Sequence, residues 1–417
     1  MIRYIKRIDT FGRNIILVFL GSSLVNVFNL LFQLLLAHRM SSVDFAGFSS
    51  LLAIFTLISA PLITLQTAVT KYTAEFSAQK NIRKIRALLS SLLRMILPLA
   101  LVTFIIFYFL SFGIMDRLKI PSVIAGYILA LLITSCWITP VLTGALQGLE
   151  LFKWLMLQSV ISGAAKLVFG VIFIGMGFNI AGGLGAFLAA ILIGILISVF
   201  PLKTMLSFRK KEESVNLKEF FIYLAPVATG SFCFIALVSL DMVLVKYLFT
   251  PVDAGFYSLA QIVGKIFLFF PGAITIVMFP RTAGLKAKNM STGSTLMRSL
   301  LYASVLCVIA NIAYNLFPSF ILKLLTGKIY GESVALGRLF GVSMSFFALS
   351  FILINYFLSV KDLRFMKYLV LSTLLEPLAI VLFHRNLMYV QLILCVNSAL
   401  LFFTHLLLAY KREAVPG

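Results

Sequence analysis

Charge is what this sequence has least of. Of its 417 residues only 12% are Asp, Glu, Lys or Arg, about half the share usual in soluble domains. Acidic residues number 14 and histidines 3. His38, His384 and His405 stand far apart in sequence, so no histidine or acidic cluster offers acid–base or metal chemistry. The four cysteines, Cys136, Cys233, Cys307 and Cys395, lie inside apolar runs without the paired spacing of a metal site or disulfide framework. They are expected to act as small packing or lipid-facing residues. A nucleotide-binding Gly-rich phosphate loop is missing too, which argues against direct ATP hydrolysis. No catalytic residue, metal or cofactor is therefore expected.

What fills the chain is hydrocarbon. Hydrophobic residues make up 61% and the mean hydropathy is +1.07, more than a water-soluble surface can hide. A membrane span needs about 20 apolar residues whose backbone groups are satisfied within the segment. Barrel strands would be about half as long, so the runs read as helices. The first of them, Asn14 to Ala37, exceeds a signal-peptide core of roughly 7 to 15 residues and is expected to remain as a span. The fold class is therefore an all-α polytopic membrane protein of about twelve transmembrane helices. They run approximately Arg13 to His38, Phe45 to Thr70, Leu88 to Phe112, Pro121 to Leu146, Leu151 to Met176, Ala181 to Leu202, Phe220 to Phe249, Gly255 to Pro280, Leu296 to Phe317, Val334 to Val360, Phe365 to Phe383 and Leu387 to Tyr410.

A net charge of +21 would suit nucleic acid if it were gathered on one module, but the basic residues are scattered among short loops. Membrane topology explains them better. Most fall on alternate connections that begin with the amino terminus, which places both termini on the cytoplasmic side. The most polar stretch, Lys203 to Lys218, lies near the midpoint, so the expected organisation is a six-helix lobe over 1–202, a basic cytoplasmic linker over 203–219 and a second six-helix lobe over 220–417. The halves repeat one another. SVDFAGFSS (Ser42 to Ser50) leads into the second span and PVDAGFYSL (Pro251 to Leu259) into the eighth, while Pro61 and Lys71 correspond to Pro271 and Arg281.

At the second copy the sequence resembles a known family. The run Leu240 to Arg281, with its Asp241 to Lys246 segment, Asp-Ala-Gly-Phe-Tyr turn, Pro271 and closing Phe-Pro-Arg, is similar to the signature of lipid-linked oligosaccharide flippases. These are the Wzx-like polysaccharide transporters of the multidrug/oligosaccharidyl-lipid/polysaccharide (MOP) exporter superfamily. GALQGLELF (Gly144 to Phe152) and LLTGKIYGES (Leu324 to Ser333) support the likeness. The resemblance implies a MATE-like arrangement of two lobes around a central cavity open alternately to each side. Its substrate would be a polyprenyl-pyrophosphate-linked oligosaccharide turned from the inner to the outer leaflet of the cell membrane for surface polysaccharide synthesis. The implied partners are that lipid, the bilayer and polysaccharide assembly enzymes, with no nucleic acid.

An ionised side chain at the bilayer centre costs about 2.5 to 3.5 kcal/mol on insertion scales, so each needs a reason. Lys166 and Lys265 fall inside expected spans. Lys166 shares a stripe with Ser159, Gly163 and Gly170, and Lys265 one with Ser258, Gln261 and Gly272. Both lysines are expected to hold a pyrophosphate, against the alternatives of a structural ion pair or snorkelling. The first span instead carries an uncharged polar face of Ser22, Asn26, Asn29 and Gln33, suited to sugar hydroxyls or to interhelical hydrogen bonds. The expected substrate-binding set is Lys166, Lys265, Gln261, Asn26, Asn29 and Gln33. Glu376 and Asp241 are candidates for coupling or for an ion pair. The family places basic residues within the first two spans, whereas here Arg13, His38, Arg39 and Lys71 occupy only their ends.

Two other functions compete. A MATE-type drug or cation antiporter would share the architecture, but the first span holds no carboxylate and interior lysines repel cations. A membrane-embedded polymerase or glycosyltransferase would need acidic or histidine clusters on a sizeable loop, and the outer connections are short.

Overall fold

The computed structural model describes residues 2–206, 217–268, 274–275, 278, 282, 285, 290–360 and 362–414. These form α-helices and, among the described residues, no strand. The helices are α1 (Ile2–Arg39), α2 (Ser42–Ala78), α3 (Ile82–Arg117), α4 (Val123–Gly148), α5 (Phe152–Gly175), α6 (Asn179–Leu202), α7 (Leu217–Leu237), α8 (Leu240–Leu248), α9 (Pro251–Phe267), α10 (Gly293–Leu316), α11 (Pro318–Thr326), α12 (Gly331–Ser359), α13 (Met366–Leu382) and α14 (Leu387–Ala414). Among the described residues nine helices are long and apolar enough to cross a membrane, or ten with the bent pair α7 and α8. Two further expected spans are the 17-residue helices α9 and α13, each about 25 Å at 1.5 Å per residue. The protein is thus an all-α, multi-pass membrane protein. Residues 207–216 of the expected linker, Pro271, Gly272 and Arg281 lie outside the described residues.

One expected span is not continuous. The run Phe220 to Phe249 breaks after Leu237, and its parts Ala225–Leu237 and Leu240–Leu248 meet at 42°. The break starts a fresh helix at Leu240, so Asp241 stands in a first turn, beside backbone N–H groups that lack intrahelical acceptors and favour a carboxylate.

The repeated motif has the same physical meaning in each half. Asp44 N–H donates to Ser41 Oγ at 3.0 Å while that hydroxyl donates to the Asp44 carboxylate at 2.8 Å. Asp253 N–H and Thr250 Oγ1 do the same at 3.2 and 2.7 Å. Each copy therefore caps its own helix reciprocally.

The helices separate into two compact units. Unit 1 holds residues Met1–Met40 and Ile58–Ala228, and unit 2 holds Ser41–Leu57 and Thr229–Gly417. In unit 1, α5 packs on α1 and α6, and α4 packs on α3 and α6, around a core that includes Leu65, Val69, Leu88, Leu92, Val141 and Leu146. Gly148 explains how α4 closes on α2: a Cβ there would stand 2.6 Å from the Thr70 carbonyl. Small residues that let helix backbones approach are the usual device where lipid supplies no hydrophobic drive. In unit 2, α12 is central and packs on α9, α10, α11 and α14. Exposed apolar side chains such as Leu101, Val102, Ile106 and Phe109 on α3 suit a surface facing acyl chains rather than water.

Candidate functional site

Each unit buries a polar cluster. In unit 1 the centre is Lys166 on α5, only 8% exposed. Its ammonium donates to the Asn29 Oδ1 on α1 and lies 4.4 Å from the Phe187 ring centroid and 5.3 Å from that of Phe32. The two rings meet edge to face at 5.6 Å. An ammonium held by ring faces and an uncharged amide is stabilised without a carboxylate. The stripe that carries Lys166 turns toward α1: a Cβ at Gly170 would lie 2.7 Å from the Phe32 ring, so the small residue lets that ring reach the lysine. Snorkelling is thereby excluded for this side chain.

Beside Lys166 opens a cleft of about 240 Å³, lined by Asn29, Thr139, Gln158, Ser162 and Phe187 among others, with no acidic residue. Of the other amides expected on α1, Asn26 is exposed and Gln33 is half-buried. Only Asn29 joins Lys166 in the cleft lining.

The cluster in unit 2 is centred on carboxylates, and the same unit also buries Lys246 on α8, 1% exposed. Asp241 is fully buried and accepts hydrogen bonds from Tyr257 Oη at 2.8 Å and Gln261 Nε2 at 3.1 Å. Both donors project from α9, four residues apart on one face. Glu376 on α13, 2% exposed, accepts from Asn397 Nδ2 of α14 at 2.8 Å, and Asn397 Oδ1 in turn accepts from Ser372 Oγ at 2.9 Å. The two carboxylates lie within electrostatic reach of each other. Among the described residues neither has a lysine within ion-pair distance.

Residues 269–273 of the expected span lie outside the described residues; Lys265 occupies the last turn of α9, half-buried, where the helix carbonyls favour a cation. It lies within the electrostatic field of Asp241, and Gln261, expected to meet substrate, is engaged with that same carboxylate. The sequence reading missed Tyr257, Ser372 and Asn397 as members of this network. Tyr257, one turn before Gln261, was open to detection. Asn397 carried the signal of an amide within an apolar run, but nothing in the sequence paired it with Glu376.

Known proteins share this architecture. The family described as polysaccharide biosynthesis protein matches residues 11–286, well over half of the chain. The chain belongs to that family. No match is found among curated protein sequences. Among solved structures, this family member is similar to an inward-facing multidrug resistance MATE transporter of the MOP superfamily, with a TM-score of 0.74, 14% identity, and coverage of 94% of this chain and 95% of that one. It also resembles the lipid II flippase MurJ in an inward closed conformation, with a TM-score of 0.67, 14% identity and coverage of 95% and 87%. A MOP-superfamily transporter from Pyrococcus furiosus, described as having a binding pocket of reverse polarity, aligns with a TM-score of 0.59 at 15% identity over 96% and 95%. The fold is that of MOP-superfamily transporters.

Proposed function

We propose that this chain is a flippase that carries a polyprenyl-pyrophosphate-linked oligosaccharide from the inner to the outer leaflet of the cell membrane by alternating access. The reading joins a family of polysaccharide biosynthesis to a transporter fold. The observation that carries it is the ammonium of Lys166, buried without a carboxylate beside a polar cleft. A buried cation with an uncharged partner retains affinity for an anion. Lys265 is assigned to the same substrate, Asn26, Asn29 and Gln33 to its sugar hydroxyls, and both termini to the cytoplasm. Gln261 reaches the substrate through its hold on Asp241. Asp241 and Glu376 are the coupling pair. Two carboxylates sharing a water-poor bundle repel each other, and a bound proton or monovalent cation relieves that repulsion.

The test is surface glycan in a strain lacking its own flippase, complemented with Lys166→Ala, Lys265→Ala or the unaltered chain at matched membrane levels. Loss of glycan in the Lys166 variant is expected; full activity in both variants overturns the cationic mechanism. The carboxylates of unit 2 give a drug or cation antiporter its one point in favour, and uptake assays with organic cations separate it from the flippase.

A further inference from the structure

Three connections of unit 2 meet around a cavity of about 340 Å³, near the lower end of the roughly 300–1,000 Å³ of small-molecule sites. They lead from α8 to α9, from α11 to α12 and from α13 to α14. The cavity lies at the opening turn of α14, whose far end carries Arg412 beside Asp362. On the orientation proposed above this is the extracytoplasmic end. Caps and ties hold the walls. Asp253 is bound to Thr250, and Asn386 Oδ1 accepts from the Tyr389 N–H at 3.0 Å. Ser333 Oγ of α12 donates to the Phe256 carbonyl of α9 at 2.9 Å.

The lining carries both signs of charge without pairing them. Asp253, Glu332 and Arg385 all line the cavity, yet among the described residues none of them forms an ion pair. The carboxylates offer only acceptors and the guanidinium only donors, while Asn386, its oxygen occupied by the cap, has its Nδ2 to give. A ligand that satisfies them all must donate and accept at several neighbouring points. Vicinal hydroxyls do this, since each is one donor and two acceptors. A zwitterion would occupy the guanidinium and one carboxylate and strand the other. Phe249, Leu336, Leu387 and Met388 complete the lining with apolar surface, which the C–H face of a pyranose ring covers through dispersion contacts. Two carboxylates against one guanidinium leave a net negative charge, so an acidic sugar is repelled. We propose that this cavity binds a single uncharged or amino-bearing pyranose. The proposal deepens the flippase reading and rests on it for the source of that sugar, a unit of the translocated glycan.

The test is saturation-transfer difference NMR on the purified full chain, in an amine-oxide detergent so that no sugar head group competes. The probes are methyl glucoside, its amino-deoxy analogue, methyl glucuronide and leucine. Saturation is expected to pass to the glucoside and the amino sugar, and at least about fivefold more weakly to the glucuronide and leucine. Ala335→Trp fills the cavity from its half-buried wall and should abolish transfer, with thermal unfolding as the check on folding. Glu332→Gln changes an exposed side chain of the lining. It should narrow the gap between glucoside and glucuronide to less than about twofold, a change that a general loss of packing would not produce.

No transfer to the glucoside or the amino sugar, transfer that survives Ala335→Trp, equal transfer to the glucuronide, or a stronger response to leucine overturns the proposal. The glycan assay keeps the two readings apart. Glycan lost in Lys166→Ala with no transfer in the unaltered chain sinks the sugar site and leaves the flippase. Transfer lost in Ala335→Trp with glycan unchanged in Lys166→Ala and Lys265→Ala keeps the sugar site and removes the cationic mechanism.

Discussion

The polar clusters of the two units, Lys166 in unit 1 and Asp241 with Glu376 in unit 2, carry charge of opposite sign and are held by different means, although unit 2 also buries Lys246 on α8. Unit 1 holds one ammonium with two aromatic faces and one amide. Unit 2 holds two carboxylates with donors drawn from three positions, Tyr257 and Gln261 on α9 and Asn397 on α14. Ring faces stabilise a cation by about 0.5–2 kcal/mol without consuming its N–H donors, so Lys166 stays available to a ligand. A carboxylate has only acceptors, and each must meet an N–H or O–H placed by a neighbouring helix. The anionic cluster is therefore tied into its own bundle, while the cationic one remains open toward its cleft. On the function proposed above, substrate contact falls to unit 1 and coupling to unit 2.

The harshest way to break that contrast is to invert the open charge. Lys166→Glu should lower glycan export about a hundredfold, ~2.7 kcal/mol at about 1.4 kcal/mol per decade, with Lys166→Met intermediate. Export rates at matched membrane levels measure it, and an active glutamate variant would mean the sign of this side chain is immaterial. Next in size is stripping Asp241 of its donors. Tyr257→Phe combined with Gln261→Leu should destabilise the protein by about 3–6 kcal/mol, since hydrogen bonds to charged groups contribute about 1.5–3 kcal/mol each. Adding Asp241→Asn should recover part of the loss, because the neutral amide no longer demands them. Thermal unfolding in detergent decides the matter, and equal melting of the double and triple variants would show that the carboxylate gains nothing from those donors. Asn397→Leu is the milder version at Glu376, about 1–3 kcal/mol for a lost buried partner, read in the same way.

Much of this was legible in the sequence, but unevenly. Membrane spans and helicity follow from hydrocarbon content alone, because backbone in lipid has few ways to be satisfied. The repeat was legible because the turns that open its two helices need the same chemistry: Asp44 and Asp253 each close a cap with the hydroxyl three residues earlier. Burial of Lys166 was legible from the small and polar stripe around it. The break before Asp241 was not, since neither Pro nor Gly stands at Val238 or Ser239 to mark it. Nor were pairings such as Asn397 with Glu376 and Lys166 with Asn29, because nothing local fixes which helix faces which. For the same reason the hydrogen bond of Gln261 to Asp241, a carboxylate on the preceding helix, was not legible.

The smallest effect sharpens the comparison from outside the membrane. In the connection between α12 and α13, Asp362 meets true cationic partners: Arg364 Nη2 at 2.7 Å and Arg412 Nε at 3.5 Å. The Arg364 hydrogen bonds, joined by the charge of Arg412 and opposed by partial burial, hold the Asp362 carboxyl below the usual carboxylate range. A depressed folded value means the stabilisation is fully present above the unfolded value of about 3.9 and is lost as pH falls through the folded one. Because Arg364 is 62% exposed, solvent screening limits this contribution to under about 1 kcal/mol. Melting temperatures of the unaltered chain and Asp362→Asn should therefore differ slightly at pH 7 and converge toward pH 3. Asp362 is partnered by arginines, whereas Asp241 and Glu376 are held by amides and a hydroxyl. An acid limb left unchanged by Asp362→Asn would move the proton sensitivity to Asp241 or Glu376, and repeating the scan in Glu376→Gln would show which.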